Sequence, residues 1–417
     1  MNRAERRRQQ KIFRSGRGVS LDAALQRAVG DIQEGKLKRA ERSLSRVVKA
    51  HPKHPDALHY LGVALYQLGR YEESIAQLAA AVSVAPDYAE AHNSLGVLFL
   101  EKRDFGRAVE HITRALEIRP DYAGAHSNLG NAYQEQNELD LAVNCYCSAL
   151  SFHPGHREAT YRLASAYLQR NEAEDALEAC VSCLGIDPYC QHAIAYKSMA
   201  LQSLGRDDEA LELCDYEGMV HLAELEVPSR YIGLRQFNDA LVEEVQKHPT
   251  LVWEPFNRVT TGGAVTGDML LNPSQTIKAF ERTLRDALED YRESLIETPD
   301  HPFLGRIPKS YRLTLIASIL RAGGRHPAHI HESAWLSGVY YVKVPEVVNV
   351  DDTKCAGWLE FGRPGYPAPS EFAPVTTAKP ARAGIALFFP SYFFHGTIPF
   401  TGTEERIGIA FDAYPES

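Results

Sequence analysis

The stretch Pro86-Asp-Tyr-Ala-Glu-Ala-His-Asn-Ser-Leu-Gly96 returns 34 residues later as Pro120-Asp-Tyr-Ala-Gly-Ala-His-Ser-Asn-Leu-Gly130. Working outward, prolines stand at Pro52, Pro86, Pro120, Pro154 and Pro188, each 34 residues after the last. Small residues keep the same step. Gly62, Gly96 and Gly130 align with Ala164; Ala40, Ser74, Ala108, Ala142, Ala176 and Ala210 align; so do Ala81, Ala115, Ala149 and Cys183. Between them apolar residues follow helical spacing, as in Leu61, Ala64, Leu65 and Leu68. Small side chains at fixed offsets let two antiparallel helices approach closely. The proline ends one unit and begins the next. The ends depart from the pattern. The first unit has Ala28 and Val47 at small-residue positions, and the sixth keeps Ala210 but has no closing proline.

This pattern resembles the tetratricopeptide repeat, with about six units across residues 21–220. The resemblance implies an α-solenoid, a superhelix whose concave groove binds a protein or an extended peptide. First-helix positions left free by the small-residue pattern are His59, Asn93, Asn128, Asn131, Tyr161 and Arg162. They are the candidate groove residues.

From Tyr216 to Arg230 the period is lost, and a second domain is expected over residues 221–417. Helical spacing runs from Phe237 to Lys247. A second helix is expected from Pro273 to Leu295, with Asn272 as its cap and Ile277, Phe280, Leu284, Ala287 and Leu288 as its apolar stripe. After Pro302 the texture changes to short runs rich in Val, Ile, Tyr and Phe. They are Tyr311 to Leu320, Leu336 to Val344, Trp358 to Phe361, Ile385 to Phe389 and Arg406 to Phe411. Such runs, broken by Gly and Pro, read as a β-sandwich or barrel. The chain is thus expected to be multidomain α + β.

Chemistry concentrates at the far end. His329-Ile-His331-Glu-Ser-Ala-Trp-Leu-Ser-Gly-Val-Tyr-Tyr-Val342 places two histidines two residues apart. In an extended chain such residues face the same side, with His326 and Glu332 facing away. A third histidine, His395, lies in Phe389-Pro-Ser-Tyr-Phe-Phe-His395-Gly, a turn able to aim an imidazole inward, and Arg406 heads a later strand expected to run back beside it. Three ligands on one face leave positions open on a metal, which suits iron(II) that must also bind a co-substrate and oxygen. A guanidinium nearby can take a carboxylate in a bidentate pair.

These stretches, with Gly357-Trp-Leu-Glu-Phe-Gly362 and Glu405-Arg406-Ile-Gly-Ile-Ala-Phe411, resemble the iron(II)/2-oxoglutarate-dependent oxygenases, in particular a bacterial and phage group. The likeness runs from about Tyr231 to the end. It implies a double-stranded β-helix (jelly roll) with flanking helices. It also implies Fe(II) and 2-oxoglutarate as cofactors, with ascorbate as a reductant. Carried over, His329 and His395 are the iron histidines, and Arg406 pairs with the distal carboxylate of 2-oxoglutarate. The family's usual His-x-Asp/Glu has His331 at the carboxylate position. The second ligand is therefore His331, or Glu332 turned in through a bulge, or water. Where relatives place a serine two residues after the arginine, this chain has Gly408, so Tyr341 or Ser337 would supply the hydroxyl.

Composition bounds these readings. A net charge of −9 over 417 residues argues against a general nucleic-acid binder. Residues 1–20 are the exception. Arg3, Arg6, Arg7, Arg8, Lys11, Arg14 and Arg17 face only Glu5, as in a solvated, disordered basic arm or one that meets an acidic partner or membrane surface. No secretory signal is legible, and the most apolar run, Ile385 to Phe394, is too short to span a bilayer. Seven cysteines without a second CxxC or histidine pair beside Cys180 and Cys183 read as reduced packing residues in a cytoplasmic protein. The expected function is hydroxylation of a protein or peptide recruited by the repeats. The rivals are a non-catalytic assembly or adaptor protein with a degenerate β-domain, and an oxygenase acting on a small metabolite.

Overall fold

A computed structural model describes residues 21–255 and 260–416. The basic arm expected over 1–20 lies outside them. Two compact units divide the chain, one ending at Ala159 and the other beginning at Thr160.

The first unit is a solenoid of paired helices: α1 Leu21–Gln33, α2 Leu37–Ala50, α3 Pro55–Gln67, α4 Tyr71–Val84, α5 Ala89–Glu101, α6 Phe105–Ile118, α7 Ala123–Glu135 and α8 Leu139–Phe152. The recurring small residues are contact points. A Cβ on Gly62 would lie 2.6 Å from the Leu78 side chain, one on Gly96 2.3 Å from Ile112, and one on Gly130 2.6 Å from the Tyr146 ring. Ser74 replaces alanine in its row because its hydroxyl donates to the Gly62 carbonyl across the pair (2.6 Å). A second 34-residue series appears in the backbone. Gly35, Gly69, Arg103, Asn137, Asn171 and Gly205 all have positive φ, between 56° and 76°. Each follows the first helix of its repeat, where a left-handed residue stops the helix.

The second unit holds the remaining repeat helices and all of the β-structure. Helix α9, Arg157–Gln169, crosses the division; α10 Ala173–Ile186, α11 Gln191–Ser203 and the short α12 Asp207–Leu213 follow. They are tied to the β-core. Gln191 Nε2 donates to the Ala334 carbonyl (3.1 Å), and the Tyr392 hydroxyl to the Leu213 carbonyl (2.6 Å).

The strands are β1 His221–Glu224, β2 Val252–Trp253, β3 Thr261–Val265, β4 Tyr311–Arg325, β5 Leu336–Lys343, β6 Leu359–Phe361, β7 Thr377–Lys379, β8 Ile385–Pro390, β9 His395–Thr397 and β10 Arg406–Pro415. Seven form an antiparallel sheet in the order β1-β8-β5-β10-β4-β3-β2, and three form a second in the order β7-β6-β9. Helices α13, Gly233–Gln246, and α14, Gln275–Ser294, cover the large sheet. The Phe280 ring packs tilted against Tyr340, centroids 5.1 Å apart, and the Tyr340 hydroxyl donates to Asn238 Oδ1 (2.7 Å). Of the expected stripe, Ile277, Phe280, Leu284 and Leu288 are buried and Ala287 is partly buried. The cap differs. Ser274, not Asn272, accepts from the Ile277 N–H (3.2 Å), because Pro273 falls before the helix rather than inside it.

Alternation along β10 sets up the site. Ile407, Ile409, Phe411 and Ala413 are fully buried in the hydrophobic core, while Arg406, Gly408, Ala410, Asp412 and Tyr414 line a cavity. Among the described residues no helix is long and apolar enough to cross a membrane.

Candidate metal centre and anion site

The three histidines converge. His329 pairs with His395 as an isolated antiparallel bridge, each N–H donating to the other's carbonyl at 3.0 Å. Directly opposed residues project to one face, so the rings meet, with centroids 4.4 Å apart. The segment is extended but is not the regular strand expected. His331 instead donates its N–H to the Ser391 carbonyl (3.0 Å) and still falls on the same side, its ring 5.1 Å from both others. One ring nitrogen from each of the three lies within 4.8 Å of the other two.

Hydrogen bonds fix which nitrogen faces inward. Nδ1 of His329 lies 2.9 Å from the Pro327 carbonyl, and Nδ1 of His395 lies 2.9 Å from the Phe393 carbonyl. A carbonyl only accepts, so both Nδ1 atoms carry the proton and each Nε2 keeps its lone pair. His331 Nδ1 lies 2.7 Å from Asp412 Oδ1. Its Nε2 stands 3.2 Å from His329 Nε2. Two imidazole nitrogens so close must share either a proton or a cation. Nitrogens bound at right angles to one ion with bonds of about 2.1 Å would stand ~3.0 Å apart, so the pair fits a shared metal. Burial lowers the pKa of His329 to about 3, with the charge of His331 adding to it and the Pro327 carbonyl opposing. Burial and the neighbouring rings hold His395 well below the ordinary value. Both rings are therefore neutral ligands rather than cations at neutral pH.

Glu332 is not part of this cluster. Its side chain is exposed, 3.8 Å from His192 Nε2.

The candidate anion site, Arg406, sits on the same face of β10 as Asp412. Arg406 is 5% exposed, and Nη1 donates to Thr397 Oγ1 (3.2 Å). Arg406 lies in the large sheet and reaches across to the small one, rather than running beside His395 as the sequence suggested. Its guanidinium carbon stands 4.8 Å from the centroid of the Tyr341 ring. Arg406 Nε and the Tyr341 hydroxyl are both buried with no hydrogen-bond partner, and no carboxylate pairs with Arg406 among the described residues. A buried cation and a buried hydroxyl left open side by side are costly unless an anion joins them. Burial raises the Tyr341 pKa, the guanidinium opposing, so its hydroxyl is a donor. Ser337 is committed elsewhere. It donates to Asp412 Oδ1 (2.6 Å) and shares a hydrogen bond with Ser391 (2.9 Å).

The cavity that joins the two sites measures about 430 Å³. Val265, Ile316, Ile330, Val339, Leu359 and Phe389 give it apolar walls, and Thr260 holds His326 at its rim (3.2 Å). Such a volume and lining suit a small ligand with a few fixed polar anchors.

Of the candidate groove residues in the first unit, Asn128 donates to Asn93 (3.0 Å), and Asn131 accepts from the Tyr146 hydroxyl (2.8 Å). His59 is buried, not open. Its nitrogens lie 3.1 Å from Ser94 Oγ and 3.2 Å from the Tyr88 hydroxyl. In the second unit Tyr161 is likewise buried, stacked on His192 at 4.4 Å, and the Arg162 guanidinium lies 5.8 Å from the Tyr161 ring. The ring of His192 from the next repeat fills the space at Tyr161.

Sequence reading missed Asp412 and Thr397. Asp412 carried a signal: it stands six residues after Arg406, at even spacing on one strand, and so on the same face. Thr397 had none.

Family models match two separate parts of the chain. Residues 31–98, 104–137 and 127–189 match tetratricopeptide-repeat family models. Among solved structures the chain is similar to MamA (25% identity, 39% of this chain and 94% of that one, TM-score 0.35). It is also similar to YrrB, titled a TPR protein with an unusual peptide-binding site (19%, 45% and 96%, 0.36). A third similar structure is pilF of Pseudomonas aeruginosa (16%, 45% and 86%, 0.42). No protein of curated function matches. Residues 316–412, which hold the three histidines, Arg406 and Asp412, match the family model described as "Putative 2OG-Fe(II) oxygenase". The chain therefore joins tetratricopeptide repeats to a domain of that oxygenase family.

Proposed function

We propose that the chain is an iron(II)/2-oxoglutarate-dependent oxygenase whose substrate is a protein or peptide bound by the repeats. His329, His331 and His395 would hold the iron. Arg406, with the Tyr341 hydroxyl, would hold the distal carboxylate of 2-oxoglutarate. The observation that carries the reading is the buried, unpaired Arg406 guanidinium on the wall of the cavity that also holds three inward-facing imidazoles. When bound, iron(II) with 2-oxoglutarate would supply oxidative decarboxylation of the co-substrate by dioxygen, one oxygen atom going to succinate as carbon dioxide leaves and the other to the hydroxylated carbon.

The chain's own residues set the conditions. The Pro327 and Phe393 carbonyls and Asp412 hold the three Nδ1 protons, so each ring presents Nε2. Thr397 and the Tyr341 ring hold the guanidinium in place. Apolar walls keep water away from the centre and strengthen each charge interaction. The Asn93–Asn128 pair gives the repeats amide groups that could meet a peptide backbone.

The test is succinate formation from 2-oxoglutarate by the iron-loaded full chain, with and without proteins captured by it, and mass spectrometry for one added oxygen atom on a captured peptide. Succinate formation that a captured protein stimulates, with oxygen on that protein, is expected. Turnover stimulated only by small metabolites would overturn the substrate class. No turnover and no iron binding would overturn the enzyme.

A further inference from the structure

Three neutral imidazoles bring no negative charge to a divalent ion. Behind one of them sits a buried carboxylate. Asp412 is 7% exposed, and its Oδ1 accepts from His331 Nδ1 (2.7 Å) and from Ser337 (2.6 Å). The Tyr414 hydroxyl approaches Oδ2 at 3.4 Å. No lysine or arginine pairs with this carboxylate among the described residues; its one ion-pair partner is His331. The other two histidines donate to backbone carbonyls, which carry no net charge. The three rings are therefore not equivalent. A buried anion partnered only by an imidazole is costly, and a metal bound through His331 would be a charge that balances it.

We propose that Asp412 is a positioning residue that acts through His331, delivering to the metal from one hydrogen bond away the negative charge that a directly ligating carboxylate would supply. This rests on the proposed metal site. The carboxylate fixes the His331 tautomer and aims Nε2, as carboxylates behind ligating histidines do. Ser337 in turn fixes the carboxylate (2.6 Å), and Ser391 holds the Ser337 hydroxyl (2.9 Å). The arrangement differs from a two-histidine, one-carboxylate set, in which the carboxylate touches the ion. Here both of its jobs remain, divided between His331, which ligates, and Asp412, which carries the charge.

Asp412→Asn tests it, because the amide keeps the shape and an acceptor for the Nδ1 proton while removing the charge. Three quantities are read on the full chain: iron(II) affinity by anaerobic competition with a chelator, the midpoint potential of the bound iron, and melting temperature. The expected result is a folded variant with affinity weaker by about 10–100-fold. If the ferric form loses tenfold more than the ferrous, the midpoint potential rises by about 59 mV. On a His331→Ala background the same substitution should change affinity far less. Affinity and potential equal to the parent's would show that Asp412 is only a structural acceptor. A measurement on the unmutated chain guards against misfolding. With zinc(II) bound, the His331 Nδ1–H proton should resonate well downfield of those of His329 and His395, because its acceptor is charged. Three equivalent resonances would overturn the proposal. Failure of the unmutated chain to bind iron would instead count against the metal site itself.

Discussion

Replacing Arg406 by methionine should move stability and ligand binding in opposite directions. The side chain is 5% exposed and has one neutral hydrogen bond, to Thr397, but no carboxylate. Burying an ion costs several kcal/mol, and here the return is one hydrogen bond of about 1 kcal/mol and the Tyr341 ring, worth up to about 2. Methionine fills similar volume without that cost. The ligand-free variant should be at least as stable as the parent, and each kcal/mol gained should raise its melting temperature by roughly 2–4 °C. Binding of 2-oxoglutarate should suffer. Losing one partner of a buried charged pair costs about 2–5 kcal/mol, which is about 30- to 4,000-fold in Kd. Arg406→Lys keeps the charge but loses the two-pronged geometry, so it should fall between. The assay is anaerobic titration of the iron-loaded protein with 2-oxoglutarate, followed in the visible, beside thermal melting of the apo protein. A destabilised Arg406→Met variant with unchanged 2-oxoglutarate binding would refute the reasoning, for the arginine would then be structural.

Further outcomes follow from other residues. Tyr341→Phe removes a buried hydroxyl that meets only the Arg406 guanidinium, so the apo protein should lose at most about 1 kcal/mol while the Kd for 2-oxoglutarate rises by about 3–10-fold, as titration of both forms would show. Gly130→Ala would place a Cβ 2.6 Å from the ring of Tyr146, which is fully buried and hydrogen-bonded to Gln134 at 2.7 Å. Overpacking of about 1–3 kcal/mol should exceed the helix-propensity gain of about 1, whereas Gly30→Ala, with nothing within 4 Å, should gain about 0.5–1 kcal/mol. Melting shifts of the same sign in both variants would exclude close approach as the reason for the glycine. Burial lowers the pKa of His59 to about 4. The unfolded chain binds that proton first, near pH 6.5. The stability due to neutral His59 is therefore complete above about pH 6.5 and is lost as pH falls toward 4, by up to about 3 kcal/mol. Hydrogen exchange of residues 55–67 should show this loss, and His59→Gln should flatten it.

The repeats were legible because their geometry demands residue types at fixed positions. Gly62, Gly96 and Gly130 each face a side chain that leaves no room for a Cβ, and that requirement is written into the chain every 34 residues. The left-handed series was less visible, because Arg103, Asn137 and Asn171 take the place of glycine in it. In the β-unit, long strands such as β4 and β10 showed themselves by composition. Strands of two to five residues, β1, β2, β3, β7 and β9, are too short to carry a period. His395 was read as part of a turn for that reason, although it opens β9. The histidines and Arg406 stood out by type. Asp412 did not, because the strand expected from Arg406 to Phe411 stopped one residue short of it. Thr397 and Ser391 gain their roles only from contacts across the sheets, which local sequence does not encode.

The most direct test of the central claim is anaerobic titration of the full chain with iron(II) and 2-oxoglutarate, watching for the visible charge-transfer band of the chelate. His329→Ala, His331→Ala, His395→Ala and Glu332→Ala would run beside it. The account predicts a band in the parent and in Glu332→Ala, and its loss or severe weakening in each histidine variant. A band that survives His331→Ala but disappears with Glu332→Ala would contradict the three-histidine centre. The absence of any band or tight iron in the parent would contradict the oxygenase reading as a whole.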